Sequence, residues 1–479
     1  MRQVRNRFSP ETESDKMKLP HEDIALIRRF VSEGMSVQRI REDDDSMWAE
    51  ESVFYQIYPL GFCGAPFAND GVLCSRIHKV TQWIDHMKKL HVNALYLSPL
   101  FESDTHGYNT RDYRKVDCRL GTNEDFAQVC RSLHENGIRV ILDGVFNHVG
   151  RGFWAFEDVR AHREASPYRD WFYLDFSRDS NEHDGFWYEG WEGHYDLVKL
   201  NLENPAVVSY LFDCIREWVE QYDIDGLRLD VAYCLPPSFL KLLHAFCRQL
   251  KPDFFLVGEL LHGDYNRWVN KEMLDSATNY ECYKGLYSSF NSHNLFEIMH
   301  SLKRQFGPEE WTLYKGKHLL NFVDNHDVSR IASILQDSRH LPLIYALLFT
   351  MPGIPCIYYG SEWNATGRKE DGDPALRVCF DQPCWNVLCE WIARLSAVHQ
   401  QQPALWKGDF HDVMITNEQC AFERSLGEER VWTIINAADR PYTFHAPGGE
   451  RGHDLINDQP IDLTELQMPP LSAYIVAIR

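Results

Sequence analysis

Short apolar runs alternate with longer amphipathic stretches along most of the chain. The amphipathic stretches that predict helices include residues 79–90 and a segment that begins at Thr122 or Asn123 and ends at Gly137. Apolar runs that predict buried strands lie at 54–58, 93–97, 139–143, 225–230, 254–259, 318–323 and 354–359, with a less clear run near 277–283. Alternation of this kind predicts a parallel sheet, because parallel strands need a crossover connection. Eight candidate strands favour a (β/α)₈ TIM barrel over an open sheet.

The alternation is interrupted after the third strand, where residues 149–195 lack the pattern and hold 13 aromatic residues. Short alternating runs return near the C-terminus and predict a small antiparallel β domain. The first 50 residues are charged and weakly patterned, with one amphipathic helix predicted at 22–36. The predicted organisation is a leader at 1–50, a barrel formed by 51–148 and 196–400, an inserted domain at 149–195 and a C-terminal β-sandwich domain at 405–479.

Composition excludes several classes of function. The 479 residues carry 70 Asp and Glu against 49 Lys and Arg, a net charge of −21 that argues against nucleic acids and anionic membranes as partners. No apolar run is long enough to span a bilayer, and the N-terminus lacks the apolar segment of a secretory signal. Thirteen scattered cysteines without a CxxC pair predict free thiols in the cytoplasm, with neither a zinc site nor disulfides.

Acidic residues follow the ends of four predicted strands: Asp143, Asp230, Glu259 and Asp327. In a parallel barrel these strand ends emerge on the face that carries the active site. A single acid at such a place is often only a helix cap, but four at corresponding places indicate a site that uses carboxylates. Two carboxyl groups that flank one bond are what glycoside hydrolysis requires.

The spacing around two of these acids indicates different roles. Arg228 and Asp230 are two residues apart on a strand and therefore face the same way. A permanent cation beside Asp230 would keep it ionised and suit it as a nucleophile, although a structural ion pair has the same pattern. Glu259 follows an apolar strand, where weak solvation would raise its pKa and suit a general acid.

Six motifs, in order along the chain, resemble those of the α-amylase superfamily of glycoside hydrolases, family 13. They are YQIYP at 55–59, DGVFNH at 143–148, GLRLD at 226–230, GE at 258–259, FVDNHD at 322–327, and MPGIP with YYGSE between 351 and 362. The resemblance implies a retaining mechanism with Asp230 as nucleophile, Glu259 as acid/base and Asp327 as stabiliser of the transition state. It further implies contacts with the sugar that is cleaved for Tyr108, Asp143, His148, Arg228 and His326.

Two further segments resemble the group of neopullulanases, cyclomaltodextrinases and maltogenic amylases. They are LVKLN at 197–201 and DPALR at 373–377, in which the resemblance implies that Asp373 and Arg377 contact a neighbouring sugar. The N-terminal β-sandwich of that group is missing here, which puts its domain-swapped dimer in doubt. VAYC at 231–234 replaces the Lys-His of many relatives and weakens the family's calcium site, although Asn147 remains. Asn109 replaces an Asp of exo-acting α-glucosidases and so argues against strict exo action.

We therefore expect a retaining α-glucan hydrolase that cleaves α-1,4 bonds of maltooligosaccharides or cyclomaltodextrins, with pullulan as a further substrate and some transglycosylation. The alternatives are an α-glucosidase or a glucosyltransferase of the trehalose-synthase type, and more remotely an inactive sugar-binding barrel. Trp187 and Trp363 are further candidates for stacking on a sugar. We expect no required cofactor and no catalytic metal, with calcium weakly supported, and an α-glucan as partner. The oligomeric state is left open.

Overall fold

A computed structural model of the protein describes residues 47–479, and the helix expected at 22–36 lies outside them. Eight parallel strands form one sheet in the order β6-β5-β4-β3-β2-β1-β8-β7. They are β1 Phe54–Ile57, β2 Ala94–Leu97, β3 Arg139–Gly144, β4 Gly226–Leu229, β5 Phe255–Gly258, β6 Ser276–Ala277, β7 Leu320–Phe322 and β8 Ile354–Tyr358. A parallel bridge from Thr278, just after β6, to Leu320 in β7 joins the two ends of the sheet. The predicted (β/α)₈ barrel is confirmed.

The barrel strands are apolar on both faces because both faces are covered. Alternate residues form a cluster inside the barrel, made of Phe54, Ala94, Tyr96, Ile141, Phe255, Val257, Leu320, Phe322, Ile354 and Cys356. Their neighbours along the strands, such as Tyr55 and Val140, belong to the larger cluster that packs against the helices. Because side chains alternate, Gln56, Asp143 and Arg228 also lie on the inner side, at the carboxyl ends of β1, β3 and β4.

The longer helices lie between or after the strands. They are Asn123–Glu135, Pro205–Tyr222, Pro237–Leu250, Tyr280–Asn291, Phe296–Phe306, Leu341–Thr350 and Val387–Gln401. Shorter α-helices are Pro59–Phe62, Ile84–Lys89, Trp154–His162, Ile331–Ile334, Asp373–Leu376 and Pro403–Lys407. No helix among residues 47–479 is both long enough and apolar enough to cross a membrane.

Two predicted elements are present but differ in helix type or in length. The helix predicted at 79–90 consists of a 3-10 helix, Ile77–Trp83, followed by the α-helix Ile84–Lys89. The strand predicted near 277–283 ends at Ala277, and a helix begins at Tyr280. The side chain of Asn279 accepts a hydrogen bond from the backbone N–H of Cys282, which caps this helix at its N-terminus.

The segment inserted after β3 folds around its own aromatic core. A three-stranded sheet places His194–Lys199 between His148–Gly150 and Gly190–Trp191, and a second pair joins Leu174–Asp175 to Trp187–Tyr188. The buried aromatic side chains of this segment are Phe153, Phe156, Trp171, Phe172, Phe186 and Tyr188. Many of the aromatic residues that the sequence concentrates here therefore stabilise the insertion itself.

The C-terminal region is antiparallel, as expected. Its main sheet has the order β9-β10-β11-β16-β13-β14, and β12 pairs with β15. The strands are β9 Asp409–Ile415, β10 Gln419–Leu426, β11 Glu429–Asn436, β12 Tyr442–Phe444, β13 Arg451–Asp454, β14 Gln459–Asp462, β15 Leu466–Met468 and β16 Ser472–Ile478. A separate apolar cluster that includes Trp432, Phe444 and Val476 fills the space between the two sheets.

Two hairpin strands follow β2, at Phe101–Ser103 and Thr110–Val116, and Tyr108 lies in the loop between them. This loop and the strand ends of the barrel surround one face. The fold therefore brings residues that are distant in sequence to a common place.

The cap of the helix Asn123–Glu135 gives a test of local stability. Thr122 Oγ1 accepts the backbone N–H of Asp125, and the Asp125 carboxylate accepts the N–H of Thr122. We expect Thr122→Ala to lower the free energy of unfolding by about 1 kcal/mol, as for other lost caps. Thr122→Ser, which keeps the hydroxyl, is the control and should retain stability in urea unfolding. Equal stability of the alanine variant and the parent protein would contradict this assignment.

Candidate active site

A single arginine joins three carboxylates at the carboxyl end of the barrel. Arg228 Nη1 lies 2.8 Å from Oδ1 of Asp143 and 2.8 Å from Oδ1 of Asp230, and Nη2 lies 2.9 Å from Oε1 of Glu259. The strand register explains this arrangement, because Arg228 on β4 lies opposite Asp143 on β3 and Val257 on β5. All four charged side chains are buried. One positive charge therefore faces three acidic groups.

Arg228 lies beside Asp230 as expected, but burial of Asp230 counteracts the charge of Arg228. Burial raises the pKa of Asp230 well above its ordinary value; the charge of Arg228 opposes this, and the charges of Glu259 and Asp143 add to it. Burial also raises the pKa of Glu259, again against the charge of Arg228. The sequence indicated one cation beside one carboxylate, whereas the fold divides that cation among three. The two acids therefore titrate as a unit that favours retention of a proton.

Both oxygens of Glu259 are fixed by the neighbouring strand. Oε1 contacts Arg228, and Oε2 accepts the backbone N–H of Val231 at 2.9 Å. Val231 directly follows Asp230 and has a φ of 40°, in the left-handed region that a β-branched residue rarely adopts. Backbone strain of this kind is typical of functional sites. Here it turns the N–H that follows one acid toward the carboxylate of the other.

His148 is a neutral hydrogen-bond donor beside Asp230. Burial lowers the pKa of His148 to about 3. Its Nδ1 lies 3.2 Å from the amide nitrogen of Asn147, which can only donate, so the proton of the neutral ring is on Nε2. That Nε2 lies 3.7 Å from Oδ2 of Asp230 and is buried without a hydrogen-bond partner in the structure. An unpartnered N–H at this place can donate to a substrate hydroxyl.

Asp327 lies within a second cluster of charges, where it is ionised. Its Oδ2 is 3.0 Å from His326 Nε2, and its Oδ1 is 2.9 Å from Arg377 Nη2. Burial raises the pKa of Asp327, but contact with His326 and the charge of Arg377 lower it more, to well below its ordinary value. Arg377 Nη1 also lies 3.1 Å from Asp373, which in turn is 2.6 Å from Lys369 Nζ. The structure thus brings both residues predicted in the DPALR segment next to Asp327.

Two tyrosines and a glutamine hold His326 in place. Its ring is nearly parallel to those of Tyr58 and Tyr108, with ring centroids 6.1 and 5.7 Å away. Nδ1 of His326 is 2.8 Å from the amide nitrogen of Gln56. Nε2, on the other side of the ring, faces Asp327. The neighbours of His326 therefore set its orientation.

Asp143 is placed differently from the other predicted sugar contacts. Its Oδ2 accepts hydrogen bonds from the hydroxyls of Tyr96 at 2.9 Å and Tyr108 at 3.2 Å, and both its oxygens contact Arg228 Nη1. These partners support Arg228 from the side away from Glu259. A sugar contact of Asp143 stays a prediction.

Three residues of this site were not predicted from the sequence, namely Gln56, Tyr58 and Tyr96. Gln56 and Tyr96 share the inward position along β1 and β2 with apolar residues of the barrel interior. Alternation along these two strands was the available signal, since polar groups at inward positions near the carboxyl ends stand out from the apolar pattern. Tyr58 continues the same alternation beyond the end of β1.

The two tryptophans suggested for sugar stacking are half-buried and already in contact with protein groups. Trp187 Nε1 donates to the hydroxyl of Tyr195 at 3.2 Å, and the guanidinium of Arg178 lies 4.6 Å from its ring. Trp363 packs edge-on against Phe380 at a centroid distance of 5.2 Å. Stacking of either on a substrate stays a prediction.

Within residues 47–479, one group of three acidic or thiol side chains has donor atoms close enough to share a metal ion, namely Glu102, Asp117 and Cys118. Asp117 is already ion-paired with Arg119 at 2.6 Å. The amide nitrogen of Asn147, suggested for calcium, is engaged with a histidine ring, as described above. Calcium binding therefore stays a prediction.

The family profile described as the catalytic domain of alpha amylase matches residues 56–409. The chain belongs to the α-amylase family. A cyclomaltodextrinase of Geobacillus thermopakistaniensis is 29% identical in an alignment of 442 positions that covers 86% of this chain and 73% of that protein. A maltogenic alpha-amylase of Bacillus acidopullulyticus is 30% identical in an alignment of 433 positions that covers 83% of this chain and 72% of that protein.

Solved structures give the same result. The cyclic alpha-maltosyl-(1→6)-maltose hydrolase of Arthrobacter globiformis superimposes with a TM-score of 0.77 at 28% identity, over 90% of this chain and 99% of that one. The resemblance inferred from the motifs is confirmed, and this α-amylase family protein is a glycoside hydrolase.

Replacement of the shared arginine tests the geometry of the cluster. Arg228→Lys keeps the charge, but a single ammonium cannot present two fixed nitrogens to Asp230 and Glu259. We expect kcat to fall on the order of 100-fold, as when one preorganised donor is lost from an active site. Steady-state kinetics alongside a thermal melt separate this loss from unfolding. A folded lysine variant with unchanged kcat would contradict the claim that catalysis needs both terminal nitrogens of the Arg228 guanidinium.

Proposed function

We propose that this hydrolase cleaves α-1,4-glucosidic bonds in short linear and cyclic α-glucans with retention of anomeric configuration. The observation that carries the proposal is the attachment of Asp230 and Glu259 to the two terminal nitrogens of one buried guanidinium. Because both carboxyl groups contact that guanidinium, they lie close to each other. A nucleophile and a general acid at close range are what a retaining mechanism requires.

In the first step, the carboxylate of Asp230 attacks the anomeric carbon while Glu259 gives the one proton that the pair holds to the glycosidic oxygen. The bond from the anomeric carbon to that oxygen breaks, and a glycosyl ester forms on Asp230. In the second step, Glu259 takes a proton from water, the water oxygen bonds to the anomeric carbon, and Asp230 leaves as a carboxylate. Raised pKa values in the free pair favour storage of the proton that the first step consumes.

The same charge cluster explains how Glu259 changes from acid to base. Esterification of Asp230 removes one negative charge from the neighbourhood of Glu259. Like charges raise the pKa of a carboxyl group, so removal of one lowers the pKa of Glu259. The lowered pKa makes Glu259 a base when water arrives. Arg228 stays bound to both groups throughout.

Asp327 acts on the charge of the transition state. The transition state of glycoside cleavage carries positive charge on the sugar ring. An ionised carboxylate fixed by His326 and Arg377 stabilises that charge without having to lose a proton first. Hydrogen bonds from His148 Nε2 to sugar hydroxyls complete the binding of this sugar.

The preferred substrate class rests on the relatives, which are named for cyclomaltodextrin and for maltogenic activity. A second candidate is a cyclic tetrasaccharide with α-1,6 bonds, because the similarity to the cyclic alpha-maltosyl-(1→6)-maltose hydrolase covers nearly the whole of that chain. Transglycosylation follows when a sugar hydroxyl replaces water in the second step. We place the reaction in the cytoplasm, on the basis of the free cysteines.

Substrates with different leaving groups separate the roles of the two acids. With maltotriose, we expect Glu259→Gln to lower kcat on the order of 1,000-fold, because a poor leaving group needs the proton. With an aryl α-maltoside whose phenol is acidic, the first turnover of Glu259→Gln should be nearly as fast as in the parent protein. Asp230→Asn should lose activity on both substrates.

The release of phenol in the first turnover is measured with a rapid-mixing instrument. An Asp230→Asn variant that still releases phenol at the parental rate would contradict the assignment of the nucleophile. Equal losses on both substrates for Glu259→Gln would contradict the assignment of the acid.

A product profile tests the substrate class. We expect β-cyclodextrin and maltotriose to be hydrolysed faster than starch, with pullulan cleaved more slowly. Chromatography of the products from equal masses of the four substrates gives the comparison. Cyclic alpha-maltosyl-(1→6)-maltose is included as the second candidate. Faster cleavage of starch than of every oligosaccharide would contradict the proposal.

A further inference from the structure

A second cleft lies at the end of the barrel opposite the catalytic carboxylates. It is formed by the segments that precede β7 and β8, at 315–318 and 352–353, together with the helix Pro403–Lys407 and strands β9 and β10. Because these segments precede parallel strands, they lie at the amino ends of the barrel. The cavity volume of the cleft is about 50 Å³.

The residues that line this cleft carry a net positive charge, whereas the chain as a whole is negative. Four basic side chains line it, namely Lys315, Lys317, Lys407 and Arg424, and Asp409 is the one carboxylate among its lining residues. Lys317 Nζ donates to the carbonyl oxygen of Val269 at 2.7 Å. Lys315 Nζ lies 3.5 Å from Asp409, and both side chains are exposed. The whole chain has a net charge of −21. A local excess of cations in such a protein attracts an anion that the rest of the surface repels.

Arg424 is buried at the base of the cleft without a carboxylate partner. Within residues 47–479, its hydrogen bonds go to the backbone carbonyls of Thr350 at 3.1 Å, Leu405 at 2.6 Å and Gly408 at 2.8 Å. The carbonyl of Thr350 belongs to the last residue of the helix Leu341–Thr350, and so partly offsets the charge. Arg424 Nε and the ring nitrogen of Trp406 are buried without a hydrogen-bond partner. Buried donors normally have a hydrogen-bond acceptor, and these two N–H groups beside the cleft lack one.

The field in the cleft is positive at neighbouring groups as well. Burial lowers the pKa of Arg424 to about 9, with only the distant charge of Asp409 in opposition. Burial lowers the pKa of His318 to about 4, and the charges of Arg424 and Lys407 contribute to this decrease. Burial is the main cause of both decreases, and His318 also lies 3.7 Å from the carboxylate of Glu50.

We propose that this cleft binds a phosphate group, either as inorganic phosphate or as part of a sugar phosphate ester. Lys315 and Lys407, exposed at the mouth, supply flexible ammonium groups, and Arg424 supplies a fixed positive charge at the base. Phosphate offers several strong acceptor oxygens and the charge to match these cations. Trp406 is half-buried on the same wall and presents an apolar surface to the carbon skeleton of an ester.

Calorimetric titration of the full chain at constant ionic strength tests the proposal, with inorganic phosphate and glucose 6-phosphate as the two probes. We expect saturable binding at one site per chain. The double variant Lys315→Ala/Lys407→Ala, which leaves buried Arg424 intact, should weaken binding at least tenfold. Tighter binding of the ester identifies a sugar phosphate as the ligand, and equal binding identifies inorganic phosphate as sufficient.

The matched control is Lys115→Ala/Lys241→Ala, which removes two exposed lysines with carboxylate partners elsewhere on the surface. This control and the Asp230→Asn variant should bind phosphate like the parent protein. The proposal is overturned if neither probe shows saturation up to tens of millimolar, or if the cleft variant binds as tightly as the parent. An equal loss in the control or in Asp230→Asn would also overturn it, since binding would then be nonspecific or at the catalytic site.

Discussion

The division of one buried guanidinium among three carboxylates is the interaction on which the catalytic site depends. Arg228 reaches Asp143, Asp230 and Glu259 because β3, β4 and β5 are adjacent and in a fixed register. Removal of charges from water is costly, and a single cation cannot compensate three anions. Burial with too little compensating positive charge raises the pKa values of Asp230 and Glu259, the two acids proposed to react. The fold thus favours a protonated acid pair, and the proposed first step uses its proton.

The surrounding contacts limit how this cluster can move. The N–H of Val231 is turned toward Glu259 by an unfavourable backbone conformation, and this strain is maintained by the buried strands on either side. A separate set of contacts holds Asp327, which is ionised because His326 and Arg377 outweigh its burial. The same barrel face therefore holds carboxyl groups with opposite pKa shifts. Such divergence between neighbouring acids is a common sign of acid and base roles.

Much of the fold could be predicted from the sequence because parallel strands and their helices leave a strong periodic signal. The motifs also located the acids, since each acid follows directly after an apolar run. The sharing of Arg228 could not be predicted, because it depends on lateral register between strands, and Arg228 and Asp143 are 85 residues apart in sequence. The strand predicted near 277–283 is shorter in the structure, because the side chain of Asn279 caps a helix that begins at Tyr280. Gln56 was missed because its partner, His326, is 270 residues away.

The most direct test of the central claim is to trap the glycosyl ester on Asp230. A fluorinated maltosyl fluoride that forms the ester faster than water removes it would be incubated with the protein, and the digested chain would be analysed by mass spectrometry. The account predicts one added glycosyl group per chain, on the peptide that contains Asp230, and none when Asp230→Asn is used. An adduct on another residue, or turnover of the reagent with inversion of configuration, would contradict it.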